Sequence, residues 1–311
     1  RKTINITKMN QDTKIINPVV WCVTAMVTPF KGENVDMPTY VNTVKRQVEA
    51  GMHFLLALGT TAETPCLSDD EKIAILEATQ EHGGGLPLMV GVGSNSLQHT
   101  LQNIRLLAPR KPDGLLVVTP YYNKPTQAGL YEYFRVVASN TDLPVVLYNV
   151  PGRTGVNLSA ETTLRLAEIP NIVAIKEASG KYVQVEDIIN MAPEGFAVLS
   201  GNDEETLSLM STGAAGVVSV VSNIVPRLTV RFVEAIQRGD FAQAKKLHFC
   251  LLPLFRNCFV ESNPIPVKAA MALMGLMEDT MRLPLMSASA TTTELMRTTL
   301  SEVLCHEYEV E

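Results

Sequence analysis

The sequence predicts an α/β protein that folds as a (β/α)8 barrel followed by a small all-helical C-terminal domain. Eight short apolar runs alternate with longer helical patterns, which is the order of parallel βαβ units. The runs are continuous in Val, Ile and Leu rather than alternating with polar residues, as expected for strands covered on both faces. After about Gly239 the helical patterns continue without another strand run. Eight such units close most naturally into a barrel with right-handed crossovers.

The eight predicted strands recur at intervals of roughly 20–35 residues, the length of one βα unit. They are Val23–Pro29, Phe54–Gly59, Leu88–Gly93, Gly114–Pro120, Pro144–Val150, Ile172–Ala178, Phe196–Gly201 and Gly216–Val221. An open, doubly wound sheet is the alternative arrangement. No G-x-G-x-x-G motif follows the first strand, which favours the barrel over the open sheet.

The helical segments carry their own sequence signals. Ser68, with Glu71 three residues later, forms a capping box at the start of the second barrel helix, and Gly83 marks the end of that helix. Three helical patterns follow the last strand, at residues 241–260, 265–278 and 291–304. The predicted organisation is a leader at residues 1–16, a barrel at residues 17–239 and a helical C-terminal domain at residues 240–311.

Composition narrows the class of protein. The chain has 311 residues, of which 46% are hydrophobic, and its formal net charge is −6 with a pI of about 5.5. No basic stripe is present, so we expect no nucleic-acid partner. No apolar run reaches the roughly 20 residues of a transmembrane helix, and the polar leader lacks the apolar core of a signal peptide. We therefore expect no membrane partner and a cytoplasmic location.

Cysteines and metal-ligand residues argue against a disulfide framework and a metal site. The five cysteines are odd in number and lack C-x-x-C spacing, which is typical of reduced thiols in a cytoplasm. They are Cys22, Cys66, Cys250, Cys258 and Cys305. The ends of the predicted strands hold no cluster of histidines or carboxylates. We therefore expect neither a catalytic metal nor any other cofactor.

Active-site residues of a (β/α)8 barrel lie at the carboxyl ends of its strands, which converge on one mouth. The predicted strand ends are rich in hydroxyl groups and glycines and include one lysine. These residues are Thr28, Gly59, Thr60, Thr61, Gly93, Ser94, Asn95, Thr119, Tyr121, Tyr122, Tyr148, Asn149, Lys176, Glu177, Gly201, Asn202, Asp203 and Ser219. They are candidates for one shared site despite their separation in sequence.

Lys176 is the most informative of these residues, because it follows the apolar run Ile172–Ile175 within a predicted strand. Burying an ammonium group without a partner is costly. Loss of hydration favours the neutral amine of a lysine, which attacks ketones to form a Schiff base. The alternative is a lysine that reaches solvent at the strand end or pairs with Glu177. Adjacent strand residues point to opposite faces, so Glu177 is a poor partner.

Three neighbouring features would complete a site of this kind. Tyr148 ends the preceding strand, where a phenol near an imine can transfer protons, and the alternative is a core tyrosine with a satisfied hydroxyl. Arg153 lies in a Pro-Gly-Arg-Thr-Gly turn and either binds a carboxylate through two hydrogen bonds or is an ordinary surface arginine. The backbone N–H groups of Gly59, Thr60 and Thr61 can hold an oxyanion or a carboxylate.

Six motifs, in order along the chain, resemble the dihydrodipicolinate synthase family (4-hydroxy-tetrahydrodipicolinate synthases) within the class I pyruvate-dependent aldolase and lyase superfamily. The motifs are GTTAET (59–64), VTPYYNKPTQAGLYEYF (118–134), LYNVPGRTG (147–155), IKEASG (175–180), LSGND (199–203) and ESNPIPVK (261–268). The resemblance extends from about Val23 to at least Leu283. Each motif is modest alone, and the six in order are highly specific.

The resemblance implies a lyase that condenses pyruvate with L-aspartate 4-semialdehyde to give 4-hydroxy-tetrahydrodipicolinate, on the pathway to lysine and diaminopimelate. It also implies a barrel with a helical C-terminal domain, assembled as a homotetramer that is a dimer of dimers. By the same resemblance, Lys176 forms the imine with pyruvate and Tyr148 acts as general acid and base.

The resemblance assigns roles to the other site residues as well. Thr61 and Tyr122 match a proton relay with Tyr148, and the tyrosine at the position of Tyr122 characteristically crosses from the neighbouring subunit. Thr60 and Thr61 match the pocket for the pyruvate carboxylate. Arg153 matches the arginine that receives the semialdehyde carboxylate. The positions of Gly201 and Val218 line the substrate pocket.

Two positions depart from the family pattern. Ala62 replaces the second glycine of the usual Gly-Thr-Thr-Gly-Glu motif, which is costly if the position needs a positive φ. His99 stands where lysine-inhibited members often carry a glutamate, four residues after the position of Asn95. A neutral histidine binds the ammonium of lysine less well, so feedback inhibition is in doubt. Asn95 and Tyr121 still match that allosteric cleft.

Other activities remain as alternatives. N-acetylneuraminate lyase and the 2-keto-3-deoxy-sugar acid aldolases share the lysine and the tyrosine, and Arg153 favours the synthase because a small acidic substrate needs a carboxylate clamp. A third alternative is a barrel that binds an α-keto acid without turnover. Degenerate proteins of that kind are expected to lose the lysine or the relay hydroxyls, yet Lys176, Tyr148, Thr61 and Tyr122 are all present.

Overall fold

Eight parallel strands close into a barrel in the computed structural model of the protein, which describes residues 21–307. The strands of the chain are β1 (Trp21–Ala25), β2 (Phe30–Lys31), β3 (Asn34–Val35), β4 (Phe54–Ala57), β5 (Leu88–Gly91), β6 (Gly114–Val118), β7 (Val145–Asn149), β8 (Ile172–Glu177), β9 (Ala197–Ser200) and β10 (Gly216–Ser219). β2 and β3 form a separate antiparallel hairpin. The others follow the order β1-β10-β9-β8-β7-β6-β5-β4, and β1 pairs with both β10 and β4. The predicted (β/α)8 barrel is therefore confirmed.

Helices lie between the barrel strands and continue after the last one. They are α1 (Met37–Glu49), α2 (Asp69–His82), α3 (Leu97–Leu107), α4 (Gln127–Ala138), α5 (Pro151–Thr154), α6 (Ala160–Ala167), α7 (Tyr182–Met191), α8 (Thr206–Ser211), α9 (Pro226–Gln237), α10 (Phe241–Asn257), α11 (Ile265–Leu273) and α12 (Ala290–Glu307). The predicted capping box begins α2. The Ser68 Oγ accepts the Glu71 N–H at 3.2 Å, and a Glu71 carboxylate oxygen accepts the Ser68 N–H at 2.8 Å.

Alternation along the strands separates the barrel interior from the layer beneath the helices. On β8, Ala174 belongs to the cluster that fills the interior, and Ile175 belongs to the cluster between strands and helices. The same alternation on β7 sends Tyr148 inward and Leu147 outward. Because the period is two, Lys176 shares the inward face of Ala174.

The C-terminal helices share an apolar core with the barrel. Cys22 and Val217 of barrel strands and Phe232 of α9 lie in the same buried cluster as Leu254 of α10 and Met271 of α11. The helices after residue 239 are confirmed, and the boundary between two domains at that point stays a prediction. The predicted leader, residues 1–16, lies outside the described residues. Among the described helices, none is both long enough and apolar enough to cross a membrane.

Candidate active site

Lys176 and Tyr148 meet in the barrel interior at the carboxyl ends of adjacent strands. The register of β7 and β8 pairs the two residues directly. The Lys176 Nζ lies 4.2 Å from the centroid of the Tyr148 ring, and each residue is only 6% exposed. A cation held over an aromatic face gains some electrostatic stabilisation. The ring carries no net charge, so it does not neutralise an ammonium group as a paired carboxylate does. The two residues therefore lie together, where the convergence of neighbouring strand ends is expected to place them.

Lys176 has no carboxylate within 4.0 Å of its Nζ among residues 21–307. Asp203, which follows β9, interacts electrostatically with Lys176. Burial raises the pKa of Asp203, and the charge of Lys176 opposes that shift. The Asp203 carboxylate accepts the backbone N–H groups of Val220 and Val221, at 2.9 and 3.3 Å. Its hydrogen bonds therefore go to the backbone after β10 rather than to the lysine.

Glu177 turns away from the barrel interior, as the strand alternation predicts. Both of its carboxylate oxygens accept the Asn149 amide at 3.1 Å, and one of them accepts the Ser179 N–H at 2.8 Å. Gln184 of α7 donates a further hydrogen bond at 3.3 Å. Burial is the largest cause of a raised pKa at Glu177, and these donors oppose it. The acid therefore joins β7, β8 and α7 behind the Lys176–Tyr148 pair.

The loop after β4 contains the GTTAET motif and folds as two short 3-10 turns, Thr60–Ala62 and Thr64–Cys66. Between them Glu63 has a left-handed backbone with φ of 54°. Ala62 is not among the described residues with positive φ, so alanine meets no left-handed strain at this position. The buried Thr28 hydroxyl donates to the Ala62 carbonyl at 2.9 Å. The substitution of glycine by Ala62 is thus compatible with this loop.

Asn263, which precedes α11, contacts two of the predicted site residues. Its amide Nδ2 donates to the Thr61 Oγ1 at 2.9 Å. Its backbone carbonyl accepts the Arg153 Nη2 at 3.1 Å. Thr61 and Asn263 are buried, whereas Arg153 is exposed at the barrel mouth. The C-terminal segment therefore connects a loop after β4 with the short helix after β7.

A buried ion pair fixes the same loop to α11. The Lys268 Nζ lies 2.6 Å from a Glu63 carboxylate oxygen, and both side chains are fully buried. The ammonium also donates to the Thr28 carbonyl at 3.0 Å and lies 4.4 Å from the centroid of the Phe30 ring. The other Glu63 carboxylate oxygen accepts the backbone N–H of Arg282 at 3.2 Å. Both carboxylate oxygens of Glu63 therefore hold the loop against residues of the C-terminal half of the chain.

A cavity of about 970 Å³ opens at the carboxyl end of the barrel. Its wall includes Thr60, Tyr148, Arg153 and Asn263 together with the predicted lysine-site residues Asn95, His99 and Tyr121. Lys176 and Thr61 are not wall residues, but each contacts one, Tyr148 and Asn263 respectively. The size and mixed lining suit a small polar substrate.

Three predicted residues lie apart from this wall. Gly201 follows β9 and donates its N–H to the Glu177 carbonyl at 2.7 Å; a Cβ there would lie 2.7 Å from the Cβ of Ala178. Val218 is buried in the barrel interior. Tyr122 is 84% exposed and has a left-handed backbone with φ of 77°, so it does not join the other site residues of this chain.

The similarity to known proteins agrees with this geometry. The family model for the dihydrodipicolinate synthetase family matches residues 20–303. The chain belongs to this family. The 4-hydroxy-tetrahydrodipicolinate synthase of Phocaeicola vulgatus is 46% identical over 282 residues, which is 90% of this chain and 95% of the relative. The synthase of Thermotoga neapolitana is 44% identical over 284 residues, 90% of this chain and 97% of the relative. The resemblance carried by the six motifs is confirmed.

Solved structures of the dihydrodipicolinate synthase family match the barrel and the helices that follow it. The dihydrodipicolinate synthase of Thermotoga maritima aligns with a TM-score of 0.89 at 43% identity, over 91% of this chain and 98% of that chain. The synthase of Cyanidioschyzon merolae, solved with lysine bound, aligns with a TM-score of 0.89 at 38% identity, over 92% and 99%. The fold class predicted from sequence is that of the family.

Sequence reasoning missed the roles of Asn263 and Lys268. Both lie in the ESNPIPVK motif, which contributed to the resemblance but follows the last barrel strand. A lysine in an otherwise apolar helical stretch was the available signal, comparable with Lys176 in its strand. Within residues 21–307 no three His, Cys, Asp or Glu side chains are grouped so as to hold a metal ion.

Proposed function

We propose that the protein is a 4-hydroxy-tetrahydrodipicolinate synthase, a lyase that condenses pyruvate with L-aspartate 4-semialdehyde in the biosynthesis of diaminopimelate and lysine. Family membership across most of the chain supports this activity. One observation carries the mechanism: the buried amine of Lys176 meets the Tyr148 ring and no carboxylate among residues 21–307. An amine in that environment is available as a nucleophile.

The reaction begins when the Lys176 amine attacks the keto carbon of pyruvate. Loss of water leaves a protonated imine, which is an electron sink. Removal of a proton from the methyl group gives an enamine, and the enamine carbon attacks the aldehyde carbon of the second substrate to form a C–C bond. The amine of that substrate then displaces Lys176 by transimination, which closes the ring and frees the enzyme.

Tyr148 transfers the protons of these steps as general acid and base. Its phenol lies on the strand next to Lys176, and its ring faces the amine. A positioned acid or base of this kind contributes on the order of 10²–10⁴-fold to a rate. Thr61 passes protons to and from Tyr148, and the buried hydrogen bond from Asn263 supports its position.

The carboxylates of the two substrates are bound at different parts of the mouth. Thr60 and Thr61 hold the pyruvate carboxylate, with their backbone N–H groups and the Thr60 hydroxyl as donors. Arg153 receives the semialdehyde carboxylate, and its exposure at the cavity wall supports this role. Gly201 and Val218 shape the pocket beside Lys176. The close approach of Gly201 to Ala178 leaves no room for a larger residue there.

Tyr122 completes the relay of a neighbouring subunit in a homotetramer built as a dimer of dimers. The exposure of a large aromatic side chain on a left-handed turn beside Tyr121 supports this assignment. Exposed aromatic residues are common at subunit contacts. The proposed cytoplasmic location and the domain boundary after residue 239 rest on the sequence.

Lysine binds weakly at Asn95, His99 and Tyr121 if this cleft is regulatory. Asn95 and His99 are exposed on the cavity wall, and the wall also carries Arg105 and an ion pair of 3.0 Å between Lys72 and Asp69. With the Arg105 cation on the wall and no glutamate at position 99, the cleft disfavours an added ammonium group. We therefore expect weak inhibition by lysine.

Trapping with borohydride tests the imine. Purified protein is incubated with pyruvate and sodium borohydride, digested, and mapped by mass spectrometry. The expected result is one reduced pyruvate adduct on Lys176 and none on Lys268, the matched control lysine that is also buried. No adduct, or an adduct on another lysine only, would contradict the mechanism. Lys176→Met is expected to lose the adduct and to lower turnover by about 10³-fold or more.

A coupled assay separates the synthase from the alternatives. Pyruvate consumption is followed with aspartate 4-semialdehyde, N-acetylmannosamine and sugar-acid aldehydes in turn, with and without lysine. Consumption with aspartate 4-semialdehyde supports the synthase. Consumption with N-acetylmannosamine alone would assign a sialic-acid aldolase instead. An adduct without turnover on any aldehyde would assign a keto-acid-binding barrel.

A further inference from the structure

We propose that Asn263 is a positioning residue that directs the hydroxyl proton of Thr61 toward the reacting groups. The inference rests on the proposed function, because it assigns a direction to the relay through Thr61. It concerns a residue outside the barrel strands, in the segment that leads into α11.

The hydrogen bond between the two side chains sets the direction. The Asn263 Nδ2 donates to the Thr61 Oγ1 at 2.9 Å, and the residues are 5% and 3% exposed. A primary amide nitrogen donates and does not accept. The threonine oxygen therefore acts as acceptor in this bond, and its single proton is left for another partner.

The Thr61 hydroxyl has no other hydrogen bond within residues 21–307. Its proton is thus not used by the surrounding protein. Asn257 and Thr299 make a comparable bond of 2.7 Å in the C-terminal helices, but there the threonine hydroxyl donates to the Leu295 carbonyl at 2.8 Å. The hydroxyl proton of Thr299 is therefore bound by a carbonyl of its own helix, whereas the hydroxyl proton of Thr61 makes no hydrogen bond within residues 21–307.

The position of Asn263 is itself fixed on both sides. Its backbone carbonyl accepts the Arg153 Nη2 at 3.1 Å. Five residues later Lys268 makes the buried ion pair with Glu63, which is two residues after Thr61. The two chain segments are thus joined twice within a few residues. Rigid support of this kind keeps a reacting hydroxyl within the narrow range of geometry that catalysis needs.

Four variants test the inference. Asn263→Leu removes the donor at similar volume, and Asn263→Asp replaces the donor with an acceptor of the same shape. Asn257→Leu is the matched control, because it removes the comparable bond away from the site. Thr61→Val, alone and combined with Asn263→Leu, tests whether Asn263 acts through Thr61. Each protein is measured for kcat, for KM of both substrates, for pyruvate trapping on Lys176 and for Tm.

We expect Asn263→Leu to lower kcat by about 10–100-fold, the loss typical of a displaced catalytic group, while KM for pyruvate changes little. Asn263→Asp is expected to lose at least as much, since its carboxylate attracts the Thr61 proton. Asn257→Leu is expected to lower Tm by a similar amount and to change kcat by less than about twofold. In the Thr61→Val background, adding Asn263→Leu is expected to cost little more.

Several results would overturn the inference. Equal kcat for Asn263→Leu and Asn257→Leu would mean that the hydrogen bond from Asn263 to Thr61 has only a structural role. Wild-type activity in Asn263→Asp would mean that Thr61 donates to residue 263. A large extra loss in the double variant would mean that Asn263 acts elsewhere. If wild-type protein forms no adduct and no product, both the proposed function and this inference fail, whereas normal wild-type turnover with an unaffected Asn263→Leu overturns this inference alone.

Discussion

Two buried lysines occupy opposite kinds of environment in this protein. Lys268 has a carboxylate at 2.6 Å, a backbone carbonyl at 3.0 Å and an aromatic face, and it is fully buried. Lys176 is nearly as buried, but among residues 21–307 its Nζ faces the Tyr148 ring and makes no ion pair. Burial lowers the pKa of Lys268, and Glu63 opposes that shift. The difference teaches that pairing, rather than burial, separates a structural lysine from a reactive one.

The largest expected effect on stability tests the paired lysine. Lys268→Met leaves the Glu63 carboxylate buried without its cation, so we expect a loss of about 3–5 kcal/mol in the free energy of unfolding. Urea unfolding measures it. The double variant Lys268→Met/Glu63→Gln is expected to recover most of this loss, because no charge is then left unpaired.

The exposed pair of Arg256 and Glu204, which also joins a C-terminal helix to the barrel, is the control. Arg256→Met is expected to have little effect on unfolding, since exposed ion pairs contribute little. If Lys268→Met were as mild as Arg256→Met, the structural role of the buried pair would be wrong.

The unpaired lysine is expected to respond in the opposite direction. Lys176→Met removes a buried amine that has no carboxylate within 4.0 Å of its Nζ among residues 21–307, so we expect unfolding to become harder by about 1–2 kcal/mol while turnover is lost. The measurement is the same urea titration, made on apo protein. A loss of stability as large as that of Lys268→Met would remove the distinction between the two sites.

The smallest expected effect is on how the free energy of unfolding depends on pH through the ion pair between Arg282 and Glu71. Arg282, which also faces Phe30, binds Glu71 through two hydrogen bonds of 2.6 and 2.8 Å and lowers its pKa to about 2. A carboxyl whose folded pKa lies below its unfolded pKa of about 4.3 stabilises the fold above that pH. This contribution is lost as pH falls toward 2. The difference in unfolding free energy between wild type and Glu71→Gln should therefore shrink between about pH 5 and pH 2; a constant difference would contradict the assignment.

The sequence was sufficient for the barrel and for the Lys176–Tyr148 pair, because both depend on local patterns. Eight apolar runs located the strands, and period-two alternation assigned Lys176 to the interior and Glu177 to the outer layer. The ends of parallel strands converge, so the register of β7 and β8 brings the lysine and the tyrosine together without further information.

The positions of Asn263 and Lys268 could not be derived in this way. Their partners Thr61 and Glu63 lie 202 and 205 residues away in sequence, and the contacts depend on how α11 packs across the barrel mouth. No periodic pattern in the sequence predicts how α11 packs there. The backbone conformation of the GTTAET loop could not be predicted either, because the positive φ is at Glu63, one residue after Ala62, where the family has a glycine.

The 202-residue separation between Thr61 and Asn263 also has a consequence for synthesis on the ribosome. A nascent chain that has emerged through the eighth barrel strand already contains Lys176 and Tyr148 but still lacks the residues that fix the Thr61 loop. The exposed loop is joined to its partners only after the segment 263–268 leaves the exit tunnel. The described geometry of the Thr61 loop is therefore reached late in translation, when nearly the whole chain is available to fold.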